Sequence, residues 1–230
     1  MARRGHRGGA GAYGLVALTL AAPLFVFVAA LGTRTGWWSF AFGHDLLAMR
    51  VGPVLAGVAA LAALALLVMA LRRRASLVLA LAAVAVSGAT IGVYAWQTAR
   101  IASGPPDDIS TDMVEIPGFG DLDARRAAVD PIAAGGVEAC AEAVPAMTQA
   151  APQTAAWALQ ESGFSLQGGV GVAGAAGTHR GFWFGTVHDA VIRIRPGRTD
   201  VRVAARDGRP HGGEACRLAG QISRRLRGVE

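Results

Sequence analysis

The chain has 230 residues, no lysine, a mean hydropathy of +0.39 and 53% hydrophobic residues, a high apolar content for a wholly soluble protein. Its formal charge of +6 is unevenly divided: residues 1–104 hold nine arginines against one acid, whereas residues 105–230 hold thirteen against fifteen. The excess basicity belongs to the apolar half, and a slightly acidic second half excludes the basic footprint of a nucleic-acid-binding domain.

Three apolar stretches come first, at residues 11–31, 51–71 and 75–98, none with an ionisable side chain apart from tyrosine. Each reaches the roughly 20 residues that cross a hydrocarbon core of about 30 Å. The first is too long for a cleaved signal and is followed by two more spans. Arg3, Arg4 and Arg7 precede the first span, and Arg72, Arg73 and Arg74 link the second to the third. Both clusters should be cytoplasmic. Trp37, Trp38, Phe40 and Phe42, between spans one and two, suit the far interface, as do Tyr94 and Trp96. The expectation is a bacterial inner-membrane protein with a cytoplasmic N-terminus and a periplasmic C-terminal domain. No charge lies within the spans, so a transporter role has no support. Gly88 and Gly92 make a small-residue pattern that reads more simply as incidental glycines in an alanine-rich helix.

The membrane domain is placed at residues 1–101 and a linker at 102–108, where Pro105-Pro106 cannot continue a helix. Residues 109–230 are enough for one compact core. Residues 107–135 read as irregular, with extended pieces at "DISTDM" and "EIPGFGDL". Residues 137–147 suggest a short helix interrupted by Pro145. Residues 152–162 predict a helix with Pro152 in its first turn and Gly163 at its end. Strands are expected at 164–167, 170–173 and 181–186, and more firmly at 190–195 and 200–205, where apolar and charged residues alternate. Residues 213–226 close the chain as a helix with Ala215, Leu218, Ile222 and Leu226 on one stripe. The fold class is therefore α+β: three transmembrane helices, then an extracytoplasmic domain with an antiparallel sheet flanked by helices.

In "GFWFGTVHDAVIRIRP" (181–196) the aromatics and isoleucines read as core, and Arg193 and Arg195 face away. A four-residue loop at 196–199 would set Arg195 opposite Asp200 and Arg193 opposite Arg202. Arginine opposite arginine is unfavourable by a few tenths to about 1 kcal/mol unless an anion or nearby acids intervene. Such acids are at hand: residues 105–190 carry a net charge of −8 and residues 191–229 a net charge of +7.

The segments "DISTD" (108–112), "FWFGTVHDAVIRIRP" and "DVRVAARDGRPHGGEACRL" resemble the bacterial domain of unknown function 1499 family, over most of residues 105–228. Arg202, Arg206, Gly208, Gly212 and Arg217 match its C-terminal pattern. Val203 and Ala205 stand for its serines, Glu214 for its asparagine, and His188-Asp189 for a pair of acids. The resemblance implies a similar domain after a few membrane spans and carries no established biochemical activity.

The candidate ligand-binding residues are Arg193, Arg195, Arg202, Arg206 and Arg217. An alternative catalytic pair is His188 and Asp189, a general base with an orienting acid, as in a hydrolase-like enzyme. The glycines of residues 169–174 spell G-x-G-x-x-G, but no helix start follows, so a strand-turn-strand region is expected instead of a dinucleotide site. His179, His188 and His211 match no metal-ligand spacing, and no cofactor signature is present. Cys140 and Cys216 are either a disulfide, permitted outside the cytoplasm, or two buried thiols. The leading expectation is a non-enzymatic envelope module, anchored in the lipid bilayer, that binds an anionic ligand or an envelope protein. The competing ones are an extracytoplasmic enzyme and a structural membrane subunit.

Overall fold

The computed structural model describes residues 7–72, 75–126 and 134–228. The chain divides into two compact units, Met1–Thr98 and Ala99–Glu230.

The N-terminal unit contains α1 (Arg7–Arg34), a π-helical stretch (Ala41–Val51) running directly into α2 (Gly52–Leu71), and most of α3 (Leu77–Ser103). Gly11–Arg34, Ala41–Leu71 and Leu77–Ser103 are each long and apolar enough to cross a membrane. Large residues such as Leu24, Val54, Leu61 and Val78 face outward, whereas Ala12, Ala63, Ala80 and Ala83 close around Leu66. Small side chains at the seam let backbones approach closely, which is how helices associate without a hydrophobic drive between them. The Ser87 hydroxyl donates to the Ala59 carbonyl at 3.3 Å, and the Tyr94 hydroxyl donates to that of Ala48 at 2.9 Å.

One expectation changes in this unit. The aromatic link between the first two spans is shorter than predicted, because residues 41–51 are helical and extend the second span upstream. Pro53 lacks an N–H and its ring crowds the preceding turn; π geometry there lets the helix pass through the proline. Gly88 and Gly92 have no neighbour among the described residues within 4 Å of where a Cβ would stand, in keeping with incidental glycines in an alanine-rich helix. Arg3, Arg4, Arg73 and Arg74 lie outside the described residues.

The C-terminal unit is α+β. Five antiparallel strands, β1 (Asp108–Ser110), β2 (Ser165–Gly171), β3 (Gly174–Arg180), β4 (Val187–Arg195) and β5 (Arg198–Ala205), lie in the order β1-β5-β4-β3-β2. Helices α4 (Pro152–Glu161) and α5 (Glu214–Leu226) cover one face. Alternation along the strands sends Ile109, Ala190, Ile192, Ile194, Val201 and Val203 to that face. There they meet Leu159, Phe164 and the α5 stripe Ala215, Leu218, Ile222 and Leu226, all buried. Asp107 closes the start of α5 from outside the helix: its carboxylate accepts the backbone N–H of Ala215 at 2.9 Å and that of His211. This supplies the acceptor that an N-cap side chain would otherwise provide. Cys140 and Cys216 are joined by a disulfide across 76 residues, fastening the segment before α4 to α5.

The β4–β5 register departs from expectation. The loop is only Pro196-Gly197, with Arg195 opposite Arg198, Arg193 opposite Asp200 and Val191 opposite Arg202. Proline followed by a glycine at φ 73° fits a two-residue turn, so β5 begins two residues earlier than the charge pattern suggested, while β4 ends at Arg195 as expected. Arg193 therefore faces a carboxylate, not Arg202.

Residues 137–147 form turns, not a helix. Ala146 instead exchanges backbone hydrogen bonds with Thr199 at 2.8 and 3.0 Å, while Cys140 is tied to α5. Pro145 has no N–H to give a helix, so the tertiary partners win. Residues 181–186 are a hairpin loop, not a strand, closed by the Gly181 N–H on the Thr186 carbonyl at 2.7 Å. Phe182 and Trp183 in that loop are exposed, against the expectation of core positions. "EIPGFGDL" ends in a 3-10 turn at Gly120–Arg125.

Candidate functional site

The uncovered face of the sheet collects the alternate residues of β4 and β5, and with them four of the five candidate arginines. Each meets a carboxylate. Asp200, fully buried, accepts Arg195 Nη2 at 2.6 Å and Arg198 Nε at 2.7 Å, with Arg193 Nη2 at 3.6 Å. Asp112 accepts Arg193 Nη2 at 2.8 Å and Arg195 Nη2 at 2.6 Å. Arg202 lies bidentate on Asp108, at 2.9 and 2.7 Å. Arg206 grips Asp189 through Nη2 at 2.6 Å and Nε at 3.0 Å, with Arg126 Nη1 beside it at 3.3 Å. The acids of residues 105–190 thus neutralise arginines of the following segment across the fold. Each of the four arginines is thus already paired with a carboxylate of the chain itself. Arg217 stands apart, on α5, paired with Glu214 at 2.6 Å.

The pairs leave their mark on proton affinity. Hydrogen bonding to Asp189 is the largest influence raising Arg206. Arg195 is raised first by Asp200 and then by Asp112. Asp112 is held down at about 2, first by the backbone N–H of Glu115, which overcomes burial, and then by Arg195 and the Val114 N–H. A carboxylate depressed in the folded state stabilises fully above its unfolded value of about 4 and loses that contribution as pH falls through the folded value. Urea midpoints of the wild type should therefore drop between pH about 4 and about 2. Asp112→Asn should be less stable at neutral pH and show a shallower fall across that window; an equal slope in the two proteins would refute the assignment.

His188 and Asp189 do not form a pair. As consecutive strand residues they project to opposite faces. Asp189 belongs to the arginine face, while His188 is wholly buried towards the covered face. His188 Nε2 lies 3.6 Å from Asp107 Oδ1, and its ring meets that of His211 edge-on at 5.5 Å. Neither ring nitrogen of His188 has a hydrogen-bond partner among the described residues. Burial would raise Asp107, but the His188 imidazole and the Ala215 and His211 amides outweigh it and leave its carboxyl below the ordinary range. Among the described residues no three His, Cys, Asp or Glu side chains are grouped as metal ligands would be.

A groove of about 590 Å³ opens on the uncovered face, with Arg193 of the arginine pairs in its lining. Its floor includes Phe119, Leu122, Ala176 and Val191, a small apolar cluster separate from the main core. The guanidinium groups of Arg126 and Arg202 sit 4.1 and 4.6 Å from the Phe119 ring centroid. Cations over an aromatic face are attracted by its quadrupole, and the two arginines steady the ring. Arg125 Nη1 donates to Gln167 Oε1 at 3.1 Å at the rim. The glycines at 171 and 174 lie in the β2–β3 hairpin bordering this groove, in strand-turn-strand geometry with no helix after it.

Asp107, Asp112, Phe119 and Arg126 were not singled out from the sequence. The one available signal was the cluster of acids after Pro105-Pro106, which the split of charge between the two halves of the domain marks as a set needing cations. The chain matches no protein-family model, no curated protein and no solved structure.

Proposed function

We propose that this is a bacterial inner-membrane protein whose C-terminal unit lies in the periplasm and binds a ligand or a partner segment in the groove of its uncovered sheet face. The groove carries the reading. Its volume of about 590 Å³ lies within the range of small-molecule sites, and its lining combines the apolar Phe119, Leu122, Ala176 and Val191 with the polar Arg125, Gln167 and Arg193. The placement is supported by the three apolar helices, by the arginine clusters that precede the first and follow the second, and by the disulfide, which suits an oxidising compartment. The resemblance to the domain of unknown function 1499 family accords with a membrane-anchored envelope module. An enzymatic reading on His188 and Asp189 is not supported, because the two side chains occupy opposite faces.

The test is retention of a bound mass. Full-length protein released from bacterial membranes into micelles should carry a ligand in native mass spectrometry. Ala176→Trp, which fills the groove floor, should lose it. Equal retention by both proteins would remove the groove from the reading.

A further inference from the structure

Phe182, Trp183 and Phe184 follow one another at the tip of the β3–β4 hairpin. The loop is closed by the Gly181–Thr186 hydrogen bond, and Gly185 turns it with φ 67°. Phe182 and Trp183 are 69% and 61% exposed and contact each other edge to face at 5.2 Å. Adjacent exposed rings on a defined loop mark an interaction surface.

The position of the tip indicates its partner. The sheet end that carries it is the end where the chain arrives from α3. β1 begins there at Asp108, paired with Ala204 near the end of β5, and β4 begins there at Val187, paired with Arg180 at the end of β3. Arg100, in the last turn of α3, donates through Nε to the Gly212 carbonyl at 3.0 Å. Residues 101–106 alone separate it from Asp107, whose carbonyl accepts the Ala205 N–H at 2.7 Å. Two strand spacings separate β1 from β4, so the tip stands about 10 Å to the side of the point where the chain reaches the sheet. Tryptophan is enriched at the membrane–water interface, where the ring leaves water and the indole N–H keeps a partner.

We propose that the Phe182–Trp183 tip inserts into the headgroup region of the bilayer that α3 crosses, making the β3–β4 hairpin a second membrane contact of the C-terminal unit. This rests on the membrane-spanning reading of the three apolar helices. Arg180, exposed at the end of β3, then stands at the level of the lipid phosphates.

The opposite end of the sheet provides the control. Val172, 88% exposed in the β2–β3 turn, lies about 25 Å away along the strands. Full-length Phe182→Cys, Val172→Cys and Thr98→Cys proteins are labelled with an environment-sensitive fluorophore while the native cysteines remain in their disulfide. They are then reconstituted in vesicles of phosphatidylcholine and phosphatidylglycerol containing lipid spin-labelled near the headgroup. The expected result is strong quenching at Thr98→Cys and Phe182→Cys, several-fold above that at Val172→Cys. Quenching at Thr98→Cys with none at Phe182→Cys above the Val172→Cys level overturns the proposal. Loss of quenching at Thr98→Cys overturns the spanning reading beneath it.

Discussion

Replacing Cys140 and Cys216 together by alanine is expected to lower the stability of the C-terminal unit by about 4 kcal/mol. The bond closes a loop with a sequence separation of 76, and its removal returns that loop's freedom to the unfolded chain. The folded state should change less, because Cys140 is buried among Ala143, Ala146 and Leu218, where an alanine is tolerated. The segment it fastens has other long-range ties, which keep it attached without the bond, among them the Arg224–Glu142 pair. The others are the Ala146–Thr199 backbone pair and Thr199 Oγ1, which accepts the Ala150 N–H at 2.9 Å and donates to the Thr148 carbonyl at 2.8 Å. Urea unfolding of the full-length protein in micelles, read by pulse proteolysis, should show the loss. Reductant should bring the wild type towards the double variant and leave the variant where it is. A double variant with the wild-type midpoint would show that the bond does not constrain the unfolded chain. In cells, the native thiols should resist an alkylating reagent until reductant is added. Alkylation without reductant would count against the proposed periplasmic placement.

Much of this fold was legible because single residues carried strong local signals. Ala190, Ile192 and Ile194 alternate with Asp189, Arg193 and Arg195, and that period has only one comfortable backbone. Ala215, Leu218, Ile222 and Leu226 recur at helical spacing, and all four are buried. The register between β4 and β5 was not legible in the same way. Arg198 and Thr199 alternate as well as the residues after them, so loops of two and four residues satisfy the same pattern. The deciding feature is local backbone geometry at Pro196-Gly197, and it moved every cross-strand pair by two residues. β1 was less visible still: three residues have no periodicity to read, and its extended form comes from pairing with β5.

The site illustrates a different limit. Composition showed that acids and arginines occupy separate segments, which is a statement about total charge. Which carboxylate meets which guanidinium depends on contacts between residues about 80 to 95 apart, such as Arg193 with Asp112 and Arg202 with Asp108. The groove is likewise a product of tertiary structure. Phe119 and Leu122 come from the stretch after β1, and Ala176 and Val191 from β3 and β4. Phe182 and Trp183 were misplaced because hydrophobicity alone reads as burial, whereas a closed loop between two glycines turns the same residues outward.

Asp189→Ala should be the most damaging single substitution on the arginine face, at about 3 kcal/mol. The Asp189 side chain is wholly buried, and each of its oxygens serves two donors. Oδ1 accepts Arg206 Nη2 at 2.6 Å and Thr178 Oγ1 at 3.0 Å, and Oδ2 accepts Arg206 Nε at 3.0 Å and Arg126 Nη1 at 3.3 Å. Without the carboxylate, Arg206 keeps Thr178 and Arg126 keeps the Ala205 carbonyl at 2.9 Å, so two cations remain half-covered with too few acceptors. The side chains of Arg206 and Arg126 are 25% and 16% exposed, enough to turn partly into water, which sets the loss at the low end for a broken buried pair. Removing the cation as well should recover part of it: Asp189→Ala with Arg206→Ala should fall short of the sum of the two single losses by about 1–3 kcal/mol. The pair between Arg224 and Glu142, 38% and 60% exposed, provides the scale, since Arg224→Ala should cost less than about 1 kcal/mol. Chemical denaturation of the wild type and the four variants checks all three values. Additive losses at Asp189 and Arg206 would mean that the two residues stabilise the sheet independently, and that the buried carboxylate is not what holds this arginine in place.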